Sequence, residues 1–146
     1  MRASKARDTQ RAMSEENLEI VRRIYCRTLK LDPDLLAGLA EFATPDTVFD
    51  FTDAYPDGDV VSGLDGVRRI AANWPWEALH FDPERFLDVD GRRVLVFVRA
   101  TATGTGSGVS VERRTAHECT FSDGSLVHFK VYSDREKALE AAGLRE

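Results

Sequence analysis

The apolar positions along this chain change period once. From Ser14, the residues Leu18, Val21, Tyr25 and Thr28 recur at helical spacing with Ile24 and Leu29 beside them, which predicts an amphipathic helix to about Lys30. Ser14 is a cap acceptor, and Glu15 and Glu16 put negative charge in the first turn, where the helix dipole favours it. Asp32-Pro33 ends that helix and opens a second through Leu35, Leu36, Leu39 and Phe42, which stops before Thr44-Pro45. Val48 to Asp53 is β-rich and predicts a first strand, followed by the loop AYPDGD. Helical spacing resumes from Gly63 through Val67, Ile70, Ala71 and Trp74 until Pro75 closes it.

Beyond Trp76 the period shortens to that of strands. Leu79 to Val89 is interrupted near Asp82-Pro83, which predicts an edge strand or a bulge. Asp90-Gly91 is a hairpin turn into Arg92 to Thr103, and GTGSG is a flexible loop before a strand from Val109 to Phe121. Asp123-Gly124 turns the chain into Leu126 to Tyr132, and Ser133 to Glu136 carries a capping-box pattern for a closing helix that ends at Gly143. Helices followed by a meander of long strands define an α+β class. The expected architecture is a curved antiparallel sheet packed by N-terminal helices into a cone with an internal pocket.

At 146 residues and 42% hydrophobic composition, the chain is long enough for one core and short for two, so residues 14–146 are read as a single domain. Residues 1–13 hold Arg2, Lys5, Arg7 and Arg11 against Asp8 and lack an apolar stretch, so they are read as a disordered leader rather than a secretory signal. The net charge of −5 therefore understates the acidity of the domain, which argues against nucleic-acid binding. No apolar run reaches the roughly 18 residues of a membrane span, and the expected location is cytoplasmic. Cys26 and Cys119 are far apart and lack metal-ligand spacing, so both are expected as reduced thiols. His80, His117 and His128 also lack ligand spacing, and neither a metal nor a cofactor is expected.

The strand from Val109 carries the most specific chemistry. Val109, Val111, Thr115, His117, Cys119 and Phe121 share one parity, which turns a titratable ring toward whatever the sheet covers. Arg99, Glu112, Arg114, Glu118, Lys130 and Tyr132 mark an outward face suited to a C2 homodimer.

The order of IVRRIY in the first helix, PDLLAGLAEFATPD in the second, the strand VFDF, SGLDGVRRI, and a last hairpin ending HFKVYSDREKALEAAGL resembles the SnoaL-like branch of the nuclear transport factor 2-like superfamily. The resemblance spans about Ser14 to Leu144 and implies a cone fold shared by isomerases, dehydratases, polyketide cyclases, epoxide hydrolases, transport factors and many members without known activity. Laid over the ketosteroid isomerase pattern, Asp53 falls at the aspartate base, upstream of Gly63. His117 falls where that family has an oxyanion-hole carboxyl, with Phe121 and Gly124 as anchors, and Tyr25 falls near a first-helix tyrosine. The resemblance further implies that Phe51, Trp74, Trp76, Cys119, Phe129 and Val131 line a site for a flat, apolar ligand.

Asp53, His117 and Tyr25 together suit proton abstraction beside a carbonyl. Burial raises a carboxylate toward base strength, while the imidazole and the phenol donate to a developing enolate. The expected function is thus a small cofactor-independent acid/base enzyme of isomerase, dehydratase or cyclase type acting on an apolar carbonyl compound. The alternative is a non-catalytic binding or dimerisation module, in which Asp53 is a turn acceptor and His117 and Tyr25 are satisfied core residues. Epoxide hydrolysis needs a second carboxylate and an arginine in the cavity, and Arg99 supplies the arginine only if the Leu95 and Phe97 face is the inner one.

Overall fold

The computed structural model describes residues 14–25, 38–54, 58–72 and 76–144, with only the backbone of residues 71 and 76–78. Helix α1 occupies residues 14–25. It is followed by β1 (Ala43–Asp53), β2 (Val60–Ser62), α2 (Gly63–Ala71), β3 (Trp76–Asp88), β4 (Arg93–Gly104), β5 (Ser110–Ser122), β6 (Ser125–Tyr132) and α3 (Arg135–Ala141). The leader, Cys26, Trp74, the end of the first predicted helix and most of the second lie outside the described residues; of the second, residues 38–39 are helical.

The six strands form one sheet in the order β2-β1-β6-β5-β4-β3. The meander from β3 to β6 is antiparallel throughout. Its turns are those the sequence marks, with Asp123 and Gly124 at φ 51° and 79° and Gly91 at φ 82°, the conformations that Asn, Asp and Gly supply in tight hairpins. The sheet departs from antiparallel pairing at one junction, where β1 runs parallel to β6. Periodicity states which residues of a strand are buried and is silent on the direction of its neighbour. β1 also starts earlier than expected, at Ala43. Leu126 donates its backbone N–H to the Phe42 carbonyl, and the Thr47 hydroxyl donates to the Leu126 carbonyl. Pro45 is tolerated there because the pairing is irregular between Ala43 and Val48.

Both faces of the sheet are covered, by different helices. On the concave face Ile20, Val21, Ile24 and Tyr25 of α1 and Val67 of α2 pack with Phe49, Val94, Val96, Val98, Phe121 and Phe129. The i, i+3, i+4 stripe of α1 is what buries that helix. On the opposite face α3 packs Ala138 against Leu95, Ala116 and Tyr132, with Phe97 and Leu87 beside them. Asp134 rather than Ser133 takes the α3 N-cap and accepts from the Glu136 N–H. At the other end Gly143, at φ 75°, lets the Leu144 N–H reach the Leu139 carbonyl. Val94, Val96 and Val98 therefore mark the inner side of β4, and Leu95, Phe97 and Arg99 the outer.

Two of the register shifts in the sheet decide which residues reach the concave core near His117. In β3, Pro83 stands opposite Val98 and Arg85 opposite Phe97, so β3 carries one extra residue there. Phe81 and Phe86, five positions apart, consequently both reach the concave core. In β1, Asp50 stands opposite Lys130 and Asp53 opposite Tyr132, so three steps on β1 match two on β6. The same device turns Asp53 to the outer face.

Candidate functional site

β5 pairs with β4 in unbroken register from Ser110 to Thr120, so its alternation holds over that length. His117 stands between Val96 of β4 and Val131 of β6 and points into the concave core, where it is 2% exposed. Tyr25 comes from the last described turn of α1, four residues after Val21 and on the same stripe, and is fully buried. Tyr25 Oη and His117 Nδ1 lie 2.5 Å apart. The phenol O–H is more acidic than a neutral imidazole N–H, and the imidazole nitrogen is the better acceptor. Tyr25 therefore donates, and His117 carries its proton on Nε2.

Aromatic rings enclose the pair. Phe129 lies 5.0 Å from the imidazole centroid and Phe81 meets it edge-on at 5.7 Å, while Phe86 meets Tyr25 edge-on at 6.3 Å. Burial among these rings lowers the His117 pKa to about 3 and raises that of Tyr25 well above its ordinary value. Both groups are thus neutral across the physiological range, and the pair works as a dipole rather than a charge. Cys119, two residues along, is fully buried, and burial pushes its thiol well up, which keeps it protonated and inert.

Asp53 is not with them. It faces α3, where its carboxylate accepts from the Ser133 N–H at 3.1 Å, the Ser133 hydroxyl at 3.4 Å and Lys137 Nζ at 2.8 Å. Partial burial works to raise its pKa, but the bonds from Lys137 and Ser133 outweigh that and leave the carboxyl below its ordinary value. The bulge after Asp50 is the physical reason: one extra residue moves the side chain to the other side of the sheet. Arg99 is likewise outside the cone, paired with Asp82 and Glu112.

Of the expected lining residues, Phe51, Cys119 and Phe129 are buried in the concave core and Val131 packs against it. Trp74 lies outside the described residues, and the Trp76 side chain is not among those described. The rings of Phe81 and Phe86 were not expected at the site, because the β3 bulge hides their common face from a period-two reading. A separate hollow of about 250 Å³ is bordered by Thr44, Pro45, Gly63 and Leu64 and shares no residue with the Tyr25–His117 pair.

The arrangement can offer a hydrogen-bond donor to an oxygen in an apolar surround. The family model described as the SnoaL-like domain matches residues 21–129, so the chain belongs to the SnoaL-like family. Among solved structures it is similar to a nuclear transport factor 2-like protein of unknown function from Burkholderia pseudomallei, at 23% identity and TM-score 0.65 over 86% of this chain and 95% of that one. TerC, crystallised with polyporic acid, is similar at 20% identity and TM-score 0.65 over 88% and 98%. The epoxide hydrolase/cyclase-like enzyme SalBIII of pyran ring formation in salinomycin is similar at 19% identity and TM-score 0.63 over 84% and 93%. At these identities the likeness is one of fold. No curated protein matches the chain.

Proposed function

We propose that the cone binds a small apolar carbonyl compound and that the Tyr25–His117 pair polarises its oxygen, as part of a cofactor-independent reaction of isomerase, dehydratase or cyclase type. The carrying observation is the 2.5 Å contact between two fully buried, neutral polar side chains surrounded by aromatic rings. A donor held in a dry site gains strength as negative charge develops on an acceptor, and the tyrosine hydrogen bond reinforces the imidazole through polarisation. TerC, of the same fold, was crystallised with polyporic acid, which supports a small-molecule role for this architecture.

A second reading, ligand binding without turnover, is favoured by one observation: the buried residues described on the concave face include no carboxylate to serve as base. The two readings share the site and differ in chemistry. Calorimetric titration with naphthol, whose phenolate resembles an enolate, tests both. Wild type is expected to bind, and Tyr25→Phe to bind on the order of tenfold more weakly, the loss of one hydrogen bond to a polar ligand network. Equal binding by both proteins would discard the pair as the recognition element. Turnover of an enolisable ketone then separates enzyme from binder.

A second copy of this chain on the outer sheet face is the protein partner we propose. Glu112 and Arg114 are exposed there, on the part of the face beyond the Leu95, Ala116 and Tyr132 patch that α3 covers. Sedimentation equilibrium showing a monomer at micromolar concentration would remove that partner.

A further inference from the structure

Along β5 the concave-face residues change character in order. Cys119, His117 and Thr115 are buried, whereas Arg113, Val111 and Val109 are exposed, the two valines by 41% and 60%. Cross-strand register puts Thr115 opposite Val98, Arg113 opposite Ala100 and Val111 opposite Ala102, so this row continues the inner face of β4 outward from the core. On β3, Phe81 and Leu79 stand opposite the same two alanines and widen the strip. Phe81, half-buried, is the ring that also touches His117. An apolar surface thus leads from the buried pair past Phe81 to two exposed valines and one guanidinium.

That guanidinium lies on the inner row of β5, whereas Arg114 beside it stands opposite Arg99 on the outer face. Arg99 is paired with Asp82 and Glu112, and Arg135 with Glu84 while stacking over Phe97. Arg113 forms no ion pair among the described residues, in a chain of net charge −5. An unpaired arginine flanked by exposed apolar side chains is complementary to an anion carried on an apolar body, and its planar fork suits a carboxylate.

Resting on the cone reading above and sharpening its ligand class, we propose that this strip receives an elongated apolar ligand with a carboxylate at Arg113 and an acceptor oxygen at the Tyr25–His117 pair. Four residues of strand at about 3.3 Å each set the two polar ends roughly 13 Å apart. Arg113 is here a specificity-determining residue that takes no part in the chemistry at the far end.

Two probes test this directly: para-phenylphenol, and the same phenol with a carboxylate at its far para position. Wild type at low salt is expected to bind the carboxylate at least about fivefold more tightly, the effect of one charge-assisted contact. Arg113→Gln should lose that preference and keep the affinity for para-phenylphenol. Arg114→Gln, on the outer face, should keep both. If para-phenylphenol binds but wild type shows no preference, or Arg113→Gln retains it, the assignment of Arg113 is overturned while the cone reading stands. If neither probe binds wild type, the cone reading falls and takes this inference with it.

Discussion

The two faces of the sheet treat polar groups in opposite ways. On the concave side His117 and Tyr25 are dry, and burial moves each pKa away from the charged form. On the convex side Asp53, Lys137, Arg135 and Glu84 remain charged and hold α3 down through ion pairs at its two flanks, one on β1 and one on β3. Burying an isolated charge costs several kcal/mol, so a side chain in the cone survives only as a neutral hydrogen-bonded partner, while a wet face keeps ions at little cost. Ligand recognition on the inner face is expected to be insensitive to pH near neutrality. The acid sensitivity of the fold should come from the inner histidine before it comes from the outer carboxylates.

The largest expected effect sharpens that contrast. The unfolded chain protonates His117 near pH 6.5, whereas the folded chain resists until about pH 3. Below pH 6.5 the unfolded state binds more protons, so stability falls as pH falls, by about 1.4 kcal/mol per unit at full slope. Convex-face carboxylates such as Asp53, whose folded pKa is lowered, lose their contribution only as pH drops through the carboxylate range, near and below pH 4. Urea unfolding between about pH 7 and pH 5 therefore isolates the histidine. His117→Gln should flatten the slope in that window, and a variant that keeps the wild-type slope would show that another group carries it.

Tyr25→Phe comes next. Removing the hydroxyl leaves the buried Nδ1 of His117 without its described donor, and an unsatisfied buried acceptor costs about 1–3 kcal/mol. The loss should be uniform across the same pH range, because the phenol does not titrate there. Urea midpoints at two pH values check it. A variant as stable as wild type would mean that the 2.5 Å contact contributes nothing net.

How legible these faces are in the sequence depends on whether register is continuous. β5 pairs with β4 without interruption, so a period-two reading puts His117, Cys119 and Phe121 on the covered side, as the structure does. The turns at Asp90-Gly91 and Asp123-Gly124 were readable for a local reason, since backbone at positive φ selects for glycine and its tolerant neighbours. Reading by parity breaks down where a strand carries an extra residue. The β1 bulge sends Asp53 to α3, and the β3 bulge brings Phe81 and Phe86 onto one face. A bulge is set by pairing with a partner strand distant in sequence, and the local pattern of either strand holds no record of it. The parallel β1–β6 junction and the short strand β2 escaped for the same reason.

The smallest expected effect tests Asp53 itself. Its partner Lys137 is largely exposed, and the pair sits at the solvent edge of α3, where screening and side-chain entropy offset most of the attraction. Asp53→Asn keeps an acceptor for the Ser133 N–H but turns an amide NH2 toward Lys137, so the ion pair and its hydrogen bond are lost. Global stability near neutral pH should therefore change little. Hydrogen exchange in residues 135–144 should quicken as the helix frays, with no change on β5. Naphthol affinity and any turnover should match wild type, because the bulge after Asp50 keeps this carboxylate off the concave face. If turnover collapses in Asp53→Asn while α3 stays protected, Asp53 must reach the substrate during reaction, and the separation of the two faces fails at this residue.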